Sequence, residues 1–236
     1  MHKVWFISDT HFHHNNVLYF HPKRREAAGI SISELTSCSE IENADEKKEA
    51  KKTILLKHDE WLMNLWNSTI KREDVVYILG DFSLGNKEYT EKILNKLHGK
   101  KYLIRGNHDK SCQGLERYFE WVGDVKEAKF THNQFSFTDE NEAFCVEMCH
   151  FPFLSWNRRP HGTVCAHGHC HGSIDNWNKE SKELRVDVGL DGELANYNFI
   201  SLEKLYEHYR NIIESEGCKT FQEYVDKLME IQGFRA

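Results

Sequence analysis

The sequence predicts an α/β fold of two sheets stacked face to face with helices outside. Three patterns carry that reading. Up to residue 110, short apolar runs alternate with stretches of helical periodicity, the signature of βαβ units. Beyond it, strand-like runs follow one another with little helix between them, and two amphipathic stretches close the chain. Five of the apolar runs end in residues that bind metal well, and in open α/β sheets ligands gather beyond the carboxyl ends of strands.

Each element has its own warrant. Lys3-Val4-Trp5-Phe6-Ile7-Ser8 is rich in β-branched and aromatic residues, reads as a buried strand, and ends in Asp9-Thr10-His11. Residues 29–53 are rich in Ser, Glu and Lys with few large apolar side chains, and read as a surface insertion with some helix near the site. Over 54–70, Ile54, Leu55, Trp61, Leu62, Leu65 and Trp66 recur at helical spacing, so this helix packs on the sheet. Val75-Val76-Tyr77-Ile78-Leu79 is a second strand and ends in Gly80-Asp81. A helix over 89–97, stopped at Gly99, leads to Tyr102-Leu103-Ile104-Arg105, whose strand ends in Gly106-Asn107-His108-Asp109.

The later strands are expected at 125–130, 134–138, 144–149, 163–166, 184–188 and 198–201, forming a second, more antiparallel sheet. Two of them end in His150 and in His167-Gly168-His169. Amphipathic helices over 202–213 and 221–231 complete a closing segment at 202–232. With 236 residues, 39% of them hydrophobic, one good core can be filled, so a single domain over 1–236 is the expectation.

Composition excludes several classes. A formal net charge of −6 argues against broad nucleic-acid attachment, and Lys23-Arg24-Arg25, Lys100-Lys101 and Arg158-Arg159 read as solvated surface. A phosphorylated small molecule or nucleotide is compatible with that balance. No run reaches membrane-spanning length, and the apolar stretch at Val4 to Ile7 is too short for a signal peptide. Seven cysteines without a framework spacing fit a reducing cytoplasm better than a disulfide scaffold.

Gathered together, the strand ends supply carboxylates, one carboxamide and several imidazoles, more than one ion needs. A two-metal hydrolase follows, in which cations about 3.5–4 Å apart share a carboxylate and activate water. The two-residue spacings Asp9 to His11 and His169 to His171 suit locally extended chain, where both side chains of a pair face one way. Taken singly, each motif is more often a plain turn.

The ordered motifs Asp9-Thr10-His11, Gly80-Asp81, Gly106-Asn107-His108-Asp109, His150 and Gly168-His169-Cys170-His171 resemble those of the calcineurin-like metallophosphoesterases. Ser8 to His14, with Leu154-Ser155-Trp156-Asn157, looks most like a compact prokaryotic or phage-type branch. The resemblance implies a four-layer αββα sandwich of two mixed sheets flanked by helices. It implies that Asp9, His11 and His171 hold one metal, that Asn107, His150 and His169 hold the other, and that Asp81 bridges them. His108 matches the family's catalytic histidine, and Asp109 is a candidate to orient its imidazole. The implied cofactors are two divalent ions (manganese, iron, zinc or nickel), and the implied reaction is in-line attack of a metal-bound hydroxide on a phosphodiester or phosphomonoester. His13, His14, His21 and His161 lie outside the motifs and read as surface or supporting positions. Two alternatives compete: a phosphoesterase of the polymerase-and-histidinol-phosphatase type, suggested by Asp9-x-His11-x-His13, and a non-catalytic metal-binding scaffold on the same fold. Oligomeric state is not written in a single chain.

Overall fold

The computed structural model describes residues 2–136, 140 and 143–231. The chain passes through β1 (Val4–Ile7), two short helices α1 (Val17–Phe20) and α2 (Pro22–Ala27), then α3 (Ile32–Glu40) and α4 (Ala44–Thr69). It continues through β2 (Val75–Ile78), α5 (Lys87–Leu94), β3 (Lys100–Ile104), β4 (Trp121–Gly123), β5 (Val125–Phe130) and β6 (Phe144–Cys149). Then come β7 (Val164–His167), α6 (Asp175–Glu180), β8 (Arg185–Asp187), β9 (Ile200–Ser201), α7 (Leu202–Ser215) and α8 (Phe221–Ile231).

One sheet has the order β4-β3-β2-β1-β9 and the other β5-β6-β7-β8. Both are mixed: β1 to β4 pair in parallel with β9 antiparallel at the edge, and β5 is antiparallel to β6 while β6, β7 and β8 are parallel. With helices flanking the pair, this is the α/β class the sequence predicts.

The period of two along each strand sorts the first sheet between two cores. Phe6 and Tyr77 face the second sheet, where Phe144, Val146 and Met148 meet them. Ile7, Val76, Ile78 and Leu103 face α4 and α5 through Leu62, Trp66, Ile93 and Leu94. Tyr206 and Tyr209 of α7 and Phe221 of α8 pack around Phe144. Tyr209, wholly buried, donates to Cys165 O at 3.1 Å, which satisfies the only polar atom it brings into the core.

Several expectations need correction. The second sheet is chiefly parallel rather than antiparallel, because residues 150–163 and the segment carrying α6 are long enough to return the chain in the same direction. The strand expected at 198–201 is shorter and belongs to the first sheet, against β1. Of the strand expected at 134–138, residues 134–136 form turns, and Thr138 lies outside the described residues, as does residue 232 of the closing segment. Sequence reading also missed β4 and the short helices before residue 28. In 29–53, Ser31 caps α3 with a full capping box, and Asn43 caps an α4 that runs without a break through residue 53 into the helix expected from Ile54.

Candidate metal centre

The strand ends do meet. The loops after β1 and β2 run side by side, with Asp9 N donating to Gly80 O at 3.0 Å, His11 N to Asp81 O at 3.0 Å and Phe12 N to Phe82 O at 2.9 Å. Across the sheets, Gly168 N donates to His150 O at 3.0 Å and His169 N to Asp9 Oδ2 at 2.9 Å. Such close approach needs glycine: a Cβ on Gly168 would strike Ser8, and one on Gly106 would strike Asp81.

The expectation of extended chain fails here. Asp9 (φ 56°), His11 (49°), Asp81 (52°), His169 (70°) and His171 (49°) all adopt the left-handed region, as does His13 (61°). Each non-glycine residue held there costs about 1–3 kcal/mol, and such residues cluster at functional sites. The side chains of a pair converge because the backbone is strained at both members, not because it is straight.

Two nests of donors result. In one, Asp9, His11 and His171 bring ligand atoms together; in the other, Asp81, His150 and His169 do. His11 Nε2 lies 3.1 Å from His171 Nε2, and His171 Nε2 lies 3.7 Å from Asp9 Oδ1. Asn107 Oδ1 lies 3.0 Å from His150 Nε2 in the second nest. Asp81 spans both, with Oδ2 at 3.7 Å from His11 Nε2 and Oδ1 at 3.5 Å from His150 Nε2. All seven candidate ligands of the sequence reading are therefore at this place.

Neighbours fix the ring tautomers. His150 Nδ1 lies 2.8 Å from Leu79 O and must carry the proton, leaving a lone pair on Nε2. His171 Nδ1 does the same against Asp191 Oδ2 at 2.6 Å, so its Nε2 also offers a lone pair toward the nest. A ring whose far nitrogen donates to a carboxylate or carbonyl is the usual support of a metal-bound histidine. Asp9 Oδ1 is buried and has no hydrogen-bond partner. A buried carboxylate oxygen left alone beside the His171 lone pair and the His11 ring fits a divalent cation, and oxygen plus imidazole donors suit transition metals.

Electrostatics agree. Burial pushes the Asp9 carboxyl up to about 7, and burial together with the Arg24 charge holds His11 well below the usual imidazole range. For His171 burial works against the charge, yet the hydrogen bond to Asp191 and the Asp9 carboxylate raise it. Asp191 is held low against burial by Arg24 and His171. Arg24, wholly buried, grips Asp191 with Nε at 2.9 Å and Nη2 at 2.6 Å, and its Nη2 also donates to Asp9 O at 2.7 Å.

Sequence reading missed Asp191, although 184–188 is a strand-like run followed, like the other five, by a polar ending, here Gly189-Leu190-Asp191. It also took Lys23-Arg24-Arg25 and Lys100-Lys101 as surface, whereas Arg24, Arg25 and Lys101 are buried. His14 and His21 line the mouth of the site with Phe20 and His108, and burial brings His14 down to about 4. His13 is bound instead to Asp59, and His167 is buried between Gly168 O and Asn178.

One role needs revision. Asp109 does not orient His108: its carboxylate accepts from the backbone N–H groups of Asp81 (3.0 Å), Phe82 (2.8 Å) and Gly106 (2.7 Å). It clamps the β2 and β3 loops together. The His108 backbone N–H donates to Asp81 Oδ1 at 2.9 Å, which sets the exposed ring at the mouth. No thiolate cluster joins the site among the described residues. Cys170, between two candidate ligands, is a poor thiolate because burial pushes it up to about 11. Arg105 and Arg159 are paired with Asp124 and Glu183 rather than turned to the donor nests.

Comparison with known proteins agrees with this arrangement. The model of the calcineurin-like phosphoesterases matches residues 2–224. The gene 66 protein of Mycobacterium phage L5 is 25% identical, with 93% of this chain and all of that protein covered. An uncharacterized protein of Methanocaldococcus jannaschii is 26% identical over 86% of this chain and 89% of its own length. A crystal structure of a protein of unknown function from Aquifex aeolicus covers 88% of this chain and all of its own, at 22% identity and a TM-score of 0.51, a likeness of fold. The barrel-based polymerase-and-histidinol-phosphatase reading is not compatible with two mixed sheets.

Proposed function

This chain belongs to the calcineurin-like phosphoesterase family, in its prokaryotic or phage branch, and from that premise we propose a binuclear centre that hydrolyses phosphodiesters or phosphomonoesters of small or nucleotide-based substrates. Metal-dependent phosphoester hydrolysis is the property of the family. Asp9 Oδ1, His11 Nε2 and His171 Nε2 would hold one divalent cation, and Asn107 Oδ1, His150 Nε2 and His169 the other, with Asp81 giving one oxygen to each. Bound there, manganese, iron, zinc or nickel would lower the pKa of water and clamp phosphoryl oxygens for in-line displacement.

The protein's own groups do the rest. Asp191 and Leu79 O keep the two rings in the tautomer that presents Nε2 inward. His108, at the open mouth, would be the group to donate a proton to the leaving oxygen. Phe20, exposed to 72%, offers an apolar wall for the leaving group. The open cavity of about 170 Å³ has room for a phosphoryl group. Seven free thiols fit a reducing cytoplasm, and no helix of the described residues is long and apolar enough to cross a membrane.

The observation that carries the proposal is the orphaned Asp9 oxygen beside His11 and the oriented His171 ring, with Asp81 spanning both nests. Metal analysis of purified protein should find two divalent ions per chain, and the loaded protein should hydrolyse bis-p-nitrophenyl phosphate or p-nitrophenyl phosphate. Protein that takes up no divalent ion, or that binds two and turns over neither ester, refutes it.

A further inference from the structure

Beside the histidine pocket lies a larger concavity of about 580 Å³ in which none of the candidate ligands takes part. One wall is the first half of α4, where Lys47 and Lys51, and Lys48 and Lys52, stand four residues apart and so share a helix face. Like charges at that spacing repel, so the helix gains nothing from them by itself. Lys47 is bonded to Ser39 O and Lys52 to Glu49, whereas Lys48 and Lys51 have no acidic partner among the described residues. Among the described residues, no carboxylate lines the groove.

The floor is of different chemistry. Leu55, Leu56 (44% exposed) and the Tyr89 ring make it apolar, and the His13 ring lies 4.2 Å from that of Tyr89. The buried Asp59 carboxylate ties the two residues together, accepting from the His13 backbone N–H at 2.8 Å and from Tyr89 Oη at 2.7 Å, with the His13 ring Nδ1 3.4 Å away. A flat apolar floor under a cationic rim is complementary to a base joined to its phosphate. The two cavities are also neighbours in the chain, since His13 lines the groove and His14 the metal pocket.

We propose that this groove seats the nucleotide adjoining the scissile phosphate of a single-stranded oligonucleotide, with Lys48 and Lys51 on backbone phosphates and a base against Tyr89 and Leu55. The inference rests on reading the histidine pocket as a phosphoesterase centre. A single strand is required because only unpaired bases expose faces to a floor. With a net charge of −6, the groove neutralises a few phosphates rather than many.

The test is fluorescence anisotropy of a labelled oligothymidylate with the metal-loaded full chain and with a Lys48→Glu, Lys51→Glu double variant. Both lysines are exposed, so the variant folds. Affinity should fall at least tenfold, and the slope of log K against log salt should flatten by about 1.4, or about 0.7 per lost phosphate contact. Turnover of bis-p-nitrophenyl phosphate and of p-nitrophenyl phosphate is followed in the same samples. Turnover with unchanged oligonucleotide affinity in the variant overturns the groove and leaves the phosphoesterase standing; oligonucleotide binding lost in the variant, with no turnover by the parent, upholds the groove and overturns the phosphoesterase. Equal competition by inorganic polyphosphate or by a duplex overturns recognition of an unpaired base.

Discussion

Exchanging Asp191 for Asn tests whether the outer shell of the centre does what its geometry indicates. The substitution keeps the volume and removes one charge from a buried cluster in which Asp191 accepts from Arg24 Nε (2.9 Å), Arg24 Nη2 (2.6 Å) and His171 Nδ1 (2.6 Å). Breaking one partner of a buried pair costs about 3–5 kcal/mol, because the other charge is left behind. Arg24 retains the carbonyls of Asp9 and Thr10, so the low end, about 3 kcal/mol, is expected. An amide no longer demands the Nδ1 proton of His171, and metal affinity should drop about 10- to 100-fold. The pH dependence has a definite sign. Because Asp191 is held below its ordinary value, its contribution is present above about pH 4 and is lost as pH falls through the depressed folded pKa; the variant lacks that acid limb. Denaturant unfolding from pH 2 to 7 and titration calorimetry with Mn²⁺ measure the two effects. A double exchange, Arg24→Met with Asp191→Leu, should recover most of the stability and none of the metal affinity. A folded Asp191→Asn protein with parental stability and parental affinity would refute the reasoning.

Three further outcomes are expected. Asp81→Asn should lower turnover at least 100-fold and reduce bound metal while the circular dichroism spectrum stays that of the parent; near-normal turnover would remove Asp81 from the bridging position. His108→Ala should keep its metal complement and lose about 10²–10⁴ in kcat, and loss of metal on dialysis would make it a ligand instead. Lys101 is buried with Nζ on Leu97 O and Gly99 O, and burial brings it down to about 8. Since its folded pKa lies below the unfolded one, its charge destabilises below pH 8 and that cost fades toward pH 10.5. Between pH 7 and 10.5 the parent should gain about 3 kcal/mol relative to Lys101→Met, and a constant difference would contradict this.

Most of the strands, the main helices after residue 43 and the polar endings that gather at the site could be read directly from the chain, because each rests on a local pattern: period two, period 3.6, or a polar ending on an apolar run; the ligand set itself came from the motif resemblance. What no local pattern carries is which distant segments meet. The direction of β7 and β8, the transfer of Ile200–Ser201 to the first sheet, and the burial of Arg24 against Asp191, 167 residues away, depend on how crossovers return the chain. Asp109 illustrates the same limit at close range. Its neighbour in sequence is His108, but folding of the β2 and β3 loops delivers three backbone N–H groups to its carboxylate, which turns it toward the loops rather than toward that imidazole. The chain alone thus determined which atoms were available for chemistry. The tertiary structure decided which of them were already committed to holding the loops, since hydrogen bonds of burial are assigned by proximity in space.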